Sequence, residues 1–276
     1  MTFDPEQLGQ SRTDLAETLR ELRKRAGLTG DRLARRCNMS QSQISKFETG
    51  KKTPKLVDVE RILRALDAPA EIVGEVTALA RIANTEWQDK RASRRRGMEK
   101  RQAELASLEG EATELRYFLP AMITGLLATP EYVRASLTHT PGNSSNTVAR
   151  KLERQAVLYD ASKAFTFLLT EQAVRWAIAP PSAMAVQIDR LVSLSHLPNI
   201  RIGILPVGTE MARGPMNTFT IYDNRLATVE NFTGRMIFRD SRDISEYLIV
   251  FSLFEQCAYF GDEARELMKQ WANSYR

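Results

Sequence analysis

The sequence has very little of what metal sites and catalytic triads require. Among 276 residues there are two histidines, His139 and His196, and two cysteines, Cys37 and Cys257. Two histidines cannot build a His-rich metal site, and a Ser-His-Asp triad would have to use one of them. Two cysteines so far apart form neither a disulfide framework nor a zinc cluster, which favours a reducing cytoplasm.

Several common signatures are also missing. The sequence contains no GxxxxGK[ST] loop, no HExxH and no GxGxxG, the motifs of phosphate, zinc and dinucleotide binding. It has no apolar run of about 18 residues and no signal peptide at its start. We therefore expect a cytoplasmic protein that is not an enzyme and that uses no metal and no cofactor.

The composition is that of an ordinary folded protein, with 43% hydrophobic and 26% charged residues, and the length suggests two domains. The positive charge lies in the amino-terminal part. Residues 1–110 hold 22 lysines and arginines against 17 aspartates and glutamates, whereas residues 111–276 hold 17 of each. This asymmetry indicates that the amino-terminal part binds nucleic acid, although a solvated charged helix would give the same charge balance. The basic run 90–101 fits either contact with flanking DNA or a solvated linker.

Five short amphipathic helices are predicted in the first 85 residues. Ser11-x-x-Asp14 resembles a capping box and predicts the start of the first helix, and Thr29 and Ser40 are predicted N-caps of the next two. Asn38 tolerates the left-handed conformation of a sharp turn. The inward positions at helical spacing are Leu15, Leu19, Leu22, Ala26, Leu33, Ala34, Cys37, Ile44, Phe47, Val59, Ile62, Leu63 and Leu66.

The segment 28–50, LTGDRLARRCNMSQSQISKFETG, has the pattern of two short helices joined by a tight turn. Ala34 is the small residue needed where the helices cross, Asn38 is the turn residue, and Ile44 and Phe47 are inward anchors. The outward positions of the second helix, which are of the base-reading type, are Gln41, Ser42, Ser45 and Lys46. Other two-helix hairpins share part of this pattern, but the joint match favours a DNA-binding helix-turn-helix.

Residues 12–68 resemble the lambda-repressor-like, XRE-type helix-turn-helix domain, chiefly through Ser40-Gln-Ser-Gln-Ile-Ser-Lys-Phe-Glu-Thr-Gly. The resemblance implies base contacts from Gln41, Ser42 and Lys46. It implies phosphate contacts from Gln43, Lys51, Lys52 and Thr53. It also implies a structural ion pair between Arg23 and Glu48. Many family members carry Gln where this chain has Gly30, whose backbone N–H groups can still hold a phosphate.

The rest of the chain predicts a connecting helix and then an α+β domain. Short β-type runs occupy residues 165–169, 200–207, 218–222, 226–232 and 236–238, and helical patterns occupy 148–159, 182–194, 244–259 and 262–271. The predicted fold is α+β: an all-α five-helix helix-turn-helix domain over 1–85, a connecting helix over 86–107, and a regulatory, partner-binding domain over 108–276 with a small, mainly antiparallel sheet. Tyr117–Pro120 fits either an apolar groove or burial. Glu171 and Arg175 fit either an anion site or a simple helical pair.

The carboxyl-terminal part also resembles a known family. The segments that carry the resemblance are Leu108-Glu-Gly-Glu-Ala, Gly125-Leu-Leu-Ala-Thr-Pro-Glu-Tyr132, Leu152-Glu-Arg-Gln155, Leu169-Thr-Glu-Gln-Ala-Val-Arg175 and Ile204-Leu-Pro206. They are similar to actinomycete regulators of the WhiJ type, in which an XRE domain precedes an antitoxin-like regulatory domain. The family usually has Pro where this chain has Thr124. The resemblance implies transcription regulation with a small partner protein and implies no catalytic residue.

These observations predict a sequence-specific transcriptional regulator that binds double-stranded DNA. Because one module contacts too few base pairs for useful specificity, we expect a homodimer on a palindromic operator. It would lie in the cytoplasm, on the nucleoid when bound to DNA. One alternative is an antitoxin that neutralises a small partner protein, and another is a small-molecule-responsive repressor. An enzyme with a DNA-targeting domain has the least support, because the carboxyl-terminal half offers no nucleophile, base and orienting group together.

Overall fold

The structure is a computed structural model and describes residues 5–89, 98–138 and 145–276, with side chains for residues 11–85, 103–138 and 145–276. The chain divides into two compact units. The first holds the residues up to Asp89 together with Met236–Asp240, and the second holds the remainder up to Arg276.

The predicted helices of the first unit are present. They are α1 (Pro5–Arg25), α2 (Gly30–Arg36), α3 (Gln41–Glu48), α4 (Leu56–Ala65) and α5 (Ala70–Asn84). As predicted, the side chains of Thr29 and Ser40 cap α2 and α3 by accepting hydrogen bonds from backbone N–H groups. The prediction that α1 starts at Ser11 is wrong, because the helix begins at Pro5. Proline is favourable in the first turn of a helix, and the glutamate and glutamine after it are good helix formers.

The inward positions predicted for these helices form the core of the first unit, except that Ala26 is exposed just after the end of α1. Asn38 adopts the predicted left-handed conformation, with φ of 52°, and turns the chain between α2 and α3. The buried residues of this core are Leu15, Leu19, Leu33, Ala34, Cys37, Ile44, Phe47, Leu56, Val59, Ile62, Leu63, Val76, Ala80 and Ala83. Because the five helices share one apolar core, α3 is held rigidly by its inner face.

The segment 86–107 is helical only in part. Thr85–Asp89 forms strand β1, where the β-branched Thr85 and the aromatic Trp87 favour extended backbone. Helix α6 runs from Met98 to Glu111. The prediction of one connecting helix from residue 86 is therefore wrong at its amino end. The side chains of the basic run 90–101 lie outside the described residues, as does the loop at 139–144.

The second unit mixes helices and strands, so the predicted α+β class is confirmed. Its helices after α6 are α7 (Pro130–Ser136), α8 (Ser145–Glu153), a 3₁₀ segment (Arg154–Tyr159), α9 (Glu171–Arg175), α10 (Pro181–Leu194), α11 (Ser241–Gln256) and α12 (Gly261–Asn273). Its strands are β2 (Glu114–Leu119), β3 (Ala164–Thr170), β4 (Ile200–Leu205), β5 (Thr218–Tyr222) and β6 (Leu226–Glu230). Strand β7 (Gly234–Phe238) begins in this unit and ends in the first.

Strands β2 to β6 lie in the order β6-β5-β2-β3-β4. Strands β2, β3 and β4 run parallel, with Tyr117 opposite Phe167 and Phe167 opposite Ile202. Strand β5 pairs antiparallel with both β2 and β6. The sheet is therefore mixed: the antiparallel strands predicted near the end of the chain continue into a parallel half.

Strand β2 is one of the elements that the sequence did not predict. Tyr117 stacks on Phe167 on one face of the sheet, with ring centroids 4.8 Å apart. Phe118 stacks on Phe254 of α11 on the other face, at 4.4 Å. Because both faces are covered, the strand lacks the apolar–polar alternation of a half-exposed strand. Of the two interpretations of Tyr117–Pro120, burial is the one observed.

Candidate nucleic-acid interface

Helix α3 presents a polar face to solvent and an apolar face to the core. Ile44 and Phe47 are each 1% exposed and anchor the inner face. The exposed side chains of the outer face are Gln41, Ser42, Ser45 and Lys46. These side chains are amide, hydroxyl and ammonium groups, the types that hydrogen-bond to base edges in the major groove.

The turn before α3 is built from backbone hydrogen bonds. The N–H of Met39 donates to the carbonyl of Ala34 at 2.9 Å, and the N–H of Asn38 donates to the carbonyl of Arg35. Ala34 is 3% exposed, which fits the close approach expected of the small residue at the helix crossing. Gln43 is half-buried, and its backbone N–H is already used by the Ser40 hydroxyl at 3.1 Å. Any phosphate contact from Gln43 must therefore use its side chain.

A bidentate ion pair fixes the end of α3 to α1. Arg23 Nε donates to Glu48 Oε1 at 2.6 Å and Nη2 donates to Oε2 at 2.8 Å, while Nη1 donates to the carbonyl of Leu28. The two side chains are only 15% and 10% exposed. The hydrogen bond to Glu48 is the main reason why the pKa of the Arg23 guanidinium is raised. This geometry orients the outer face of α3 through groups that do not point to solvent.

The loop after α3 carries two exposed ammonium groups. Lys51 and Lys52 are exposed and Thr53 is half-buried. The backbone N–H of Lys52 donates to the carbonyl of Lys46 at 3.1 Å, which fixes the loop against the end of α3. The ammonium of Lys52 lies 6.0 Å from the ring centroid of Phe47. The structure therefore holds these three residues in the loop directly after α3.

Gly30 is the first residue of α2 and lies beside Gln41. An ideal Cβ at Gly30 would sit 3.8 Å from Nε2 of Gln41. Helix α2 is only seven residues long, so its start and the start of α3 are close neighbours. Because Gly30 has no side chain, the carboxamide of Gln41 meets no partner from that position and is free to turn outward.

Two other candidates from the sequence have structural roles. Cys37 is 1% exposed, and burial raises the pKa of its thiol despite the charge of Arg61. Glu171 pairs with Arg175 and accepts a hydrogen bond from the N–H of Val207 at 2.9 Å. Burial alone would raise the pKa of Glu171, but these two partners outweigh it and the pKa is lowered. Glu171 thus ties the start of α9 to the loop after β4.

The sequence did not predict the buried ion pair of the second unit. Arg154 donates to both carboxylate oxygens of Glu109, and the Tyr117 hydroxyl donates to the same carboxylate at 3.3 Å. The two charged side chains are 10% and 2% exposed. Burial by itself lowers the pKa of Arg154, but the hydrogen bond and charge of Glu109 outweigh it and the pKa is raised. The two residues are 45 positions apart, so no local pattern signals the pair.

The described part of the chain holds no cluster of metal ligands: no three His, Cys, Asp or Glu side chains in it lie where they could hold a metal ion. None of the described helices is both long and apolar enough to cross a membrane.

Comparison with known proteins agrees with this geometry in the first unit. Residues 14–83 match the family model described as a helix-turn-helix domain, so the amino-terminal unit is a helix-turn-helix domain of a DNA-binding regulator. This match supports the prediction of a regulator rather than an enzyme. Residues 102–270, more than half of the chain, match the model described as a domain of unknown function (DUF5753). The protein belongs to the DUF5753 family.

No curated protein matches the chain. One similar solved structure is described as "Structure of TrmBL2, an archaeal chromatin protein, shows a novel mode of DNA binding", with 10% identity and a TM-score of 0.33. The match covers 64% of this chain and 53% of that one, so it spans about half the length of the archaeal protein.

Proposed function

We propose that the protein is a sequence-specific transcriptional regulator that reads its operator with Gln41, Ser42 and Lys46. The observation that carries this proposal is the polar outer face of α3, held in place by two buried anchors and by the Arg23–Glu48 pair. A recognition helix needs polar side chains on a rigid support, because a mobile helix loses the geometry of bidentate base contacts.

In this proposal the phosphate contacts come from Gln43, Lys51, Lys52 and Thr53. Phosphate contacts fix the register of a protein on the duplex but carry no sequence information. The two exposed lysines lie in a loop anchored to the carboxyl end of α3.

We further propose a homodimer on a palindromic operator. A single helix-turn-helix module touches too few base pairs for useful specificity, and two modules about one helical turn apart are the usual solution. The resemblance to XRE-type regulators supports this arrangement, and the dimer would lie on the nucleoid when bound to DNA.

The second unit is proposed to bind a small partner protein. Residues 111–276 carry no net charge, which disfavours DNA as their ligand, and the resemblance to WhiJ-type actinomycete regulators supports a protein partner. The same resemblance supports the alternative of an antitoxin that neutralises its partner. A small-molecule-responsive repressor is the remaining alternative.

The base-reading proposal is tested by selecting an operator from a random duplex library with the full chain. We expect Lys46→Ala and Gln41→Ala each to weaken operator binding by about 1–3 kcal/mol while binding to random duplex changes little. The matched control is the Lys51→Ala, Lys52→Ala double variant. It should weaken binding to both duplexes and flatten the slope of log K against log[salt] by about 0.9 for each phosphate that the variant no longer neutralises. Equal weakening on both duplexes for Lys46→Ala would refute base reading.

The partner proposal is tested by affinity capture with the full chain from lysate of its own organism, followed by binding of the purified candidate. The competing repressor hypothesis predicts something different: no captured protein, but a ligand-dependent rise in melting temperature with a metabolite library. An antitoxin would in addition abolish the activity of the captured protein.

A further inference from the structure

The two most exposed large apolar side chains in the part of the chain that the structure describes lie at the same end of one strand pair. Phe232 is 98% exposed and Met216 is 91% exposed, whereas the other described large apolar side chains are at most 63% exposed. Strand β5 begins two residues after Met216, and β6 ends two residues before Phe232. Thr218 lies opposite Glu230 in the antiparallel register of these strands, and the same register carried two residues further sets Met216 opposite Phe232.

Phe232 is held at the tip of an ordered turn. The side-chain oxygen of Asn231 accepts hydrogen bonds from the backbone N–H groups of Thr233 and Gly234, at 2.9 and 2.7 Å, and from the Thr233 hydroxyl at 3.0 Å. The N–H of Asn231 donates to the carbonyl of Gly234 at 3.0 Å. Because the turn is already fixed, a partner that covers the Phe232 ring loses little entropy in ordering the backbone beneath it.

The loop that leads to Met216 carries little charge. Residues 206–217, PVGTEMARGPMN, contain one acid, Glu210, and one base, Arg213, and the turn 231–233 contains neither, although 26% of the residues in the chain are charged. The centre of a protein–protein interface is depleted in charge and enriched in aromatic and methionine side chains. Neighbouring exposed apolar groups also mark protein–protein contacts. The composition of this surface is therefore that of a protein contact.

The charges favour a second copy of this chain as the occupant. In a contact between two copies related by a two-fold axis, the same surface lies on both sides, so a residue i that contacts a residue j is matched by j contacting i. A surface with several charges of one sign would repel its own copy. Here the apolar centre is uncharged, and the loop beside it holds one exposed acid and one exposed base. A two-fold axis can thus set Glu210 of each copy against Arg213 of the other.

We propose that two copies of the chain associate through this apolar edge, defined by Met216 and Phe232 at its centre and by Glu210 and Arg213 in the adjoining loop. The inference rests on the homodimer proposed above and names its interface. All four residues belong to the second unit. The dimer therefore forms without using the residues proposed to contact DNA.

The test is sedimentation equilibrium of the full chain without DNA. Met216→Ser with Phe232→Ser removes the apolar centre. The matched control, Tyr159→Ser with Val186→Ser, removes apolar side chains that are 63% and 55% exposed on the 3₁₀ segment and on α10. We expect the Kd of the dimer to rise about a hundredfold or more in the edge variant, because two apolar side chains of each copy are no longer buried, and to change less than about twofold in the control. Both variants should keep the melting temperature of the unaltered protein, because these side chains are exposed within one chain.

Charge reversal tests the two-fold arrangement. Glu210→Arg alone sets like charges against each other across the axis and should raise the Kd of the dimer by about tenfold. Adding Arg213→Glu restores opposite charges at both contacts. The double variant should therefore return to within about threefold of the Kd of the unaltered protein.

The contrary outcomes differ in what they overturn. An unaltered protein that sediments as a monomer would overturn the homodimer and, with it, this interface. A dimer that is equally tight in the edge variant and its control would overturn the interface alone and leave the homodimer standing. If that variant also lost binding of the partner protein purified after affinity capture, the apolar edge would belong to that partner. A dimer weakened by Glu210→Arg but not restored by adding Arg213→Glu would overturn the two-fold pairing on which the choice of a second copy rests.

Discussion

The Arg23–Glu48 pair makes a sharp test of what supports the recognition helix. Glu48 lies at the carboxyl end of the helix whose outer face is proposed to read DNA, yet both of its carboxylate oxygens are occupied by Arg23. We expect Glu48→Ala to destabilise the helix-turn-helix domain without removing a DNA contact. The substitution would strand the Arg23 guanidinium in a site where it is 15% exposed.

The magnitude follows from burial and geometry. Removing one member of a fully buried ion pair costs about 3–5 kcal/mol. We expect about 2–3 kcal/mol for Glu48→Ala, because the pair is partly exposed and Arg23 keeps its hydrogen bond to the carbonyl of Leu28. An exposed pair on the same helix as Arg23 provides the control. Arg25 and Glu21 are 76% and 64% exposed, so Glu21→Ala should cost no more than about 0.5 kcal/mol.

The assay is urea unfolding of the full chain followed by far-ultraviolet circular dichroism, with operator affinity measured well below the unfolding transition. A double-mutant cycle with Arg23→Ala isolates the energy of the pair, because the two side chains touch each other directly. We expect the cycle to show strong coupling and the folded variant to keep operator affinity. Unchanged stability together with a loss of operator affinity would show that Glu48 acts at the DNA and that the pair is not structural.

Three further predictions concern the second unit. Glu109→Gln should cost about 3–5 kcal/mol in urea unfolding because it removes the carboxylate charge that faces the buried guanidinium of Arg154, and replacing both by leucine and methionine should restore most of that stability. Asp223 accepts hydrogen bonds from two backbone N–H groups and from the Thr113 hydroxyl, and these bonds outweigh burial and hold the pKa of Asp223 below the ordinary 3.8. The stability that they contribute is present above pH 3.8 and is lost as pH falls through the folded pKa. Asp223→Asn should therefore flatten the acid limb of the curve of unfolding free energy against pH. Gly203→Ala places a Cβ 2.6 Å from the Phe260 ring and should lower the free energy of unfolding by about 1–3 kcal/mol, whereas unchanged stability would show that the ring moves freely.

The first unit was predictable because its signals are local. Each helix cap and turn residue lies within a few positions of the backbone groups that it contacts. For example, the Ser40 hydroxyl accepts a hydrogen bond from the N–H of Gln43, three residues later. The ion pair joins residues 25 positions apart, and only family resemblance indicated it.

The second unit was less predictable because its order is non-local. Strand β5 pairs with β2, about 100 residues earlier in the chain, and periodicity within either strand does not specify that partner. Burial on both faces removed the alternation by which β2 would have been recognised. The strands near residues 218–238 were predicted because short turns separate them and their pairing is between neighbours.

The segments that carry the family resemblance meet in the structure. The Glu109–Arg154 pair joins the first segment to the third. The neighbouring Gln155 donates from Nε2 to the carbonyls of Gly125 and Ala128, at 2.8 and 2.7 Å, and so joins the third segment to the second. These residues are buried and hydrogen-bonded to one another across the fold.

The loop that they surround, residues 120–129, is held from several sides. Thr170 donates to the carbonyl of Pro120 at 2.7 Å, and Gln187 accepts from the N–H of Thr129 at 2.6 Å. A buried polar group without such a hydrogen-bond partner would cost about 1–3 kcal/mol. The stability of the domain is therefore enough to explain why these buried residues are polar. A residue that recognises a partner must instead present its atoms to solvent. Substitutions that alter the partner without unfolding the domain are therefore expected at exposed positions of this loop, such as Met122, which is 41% exposed.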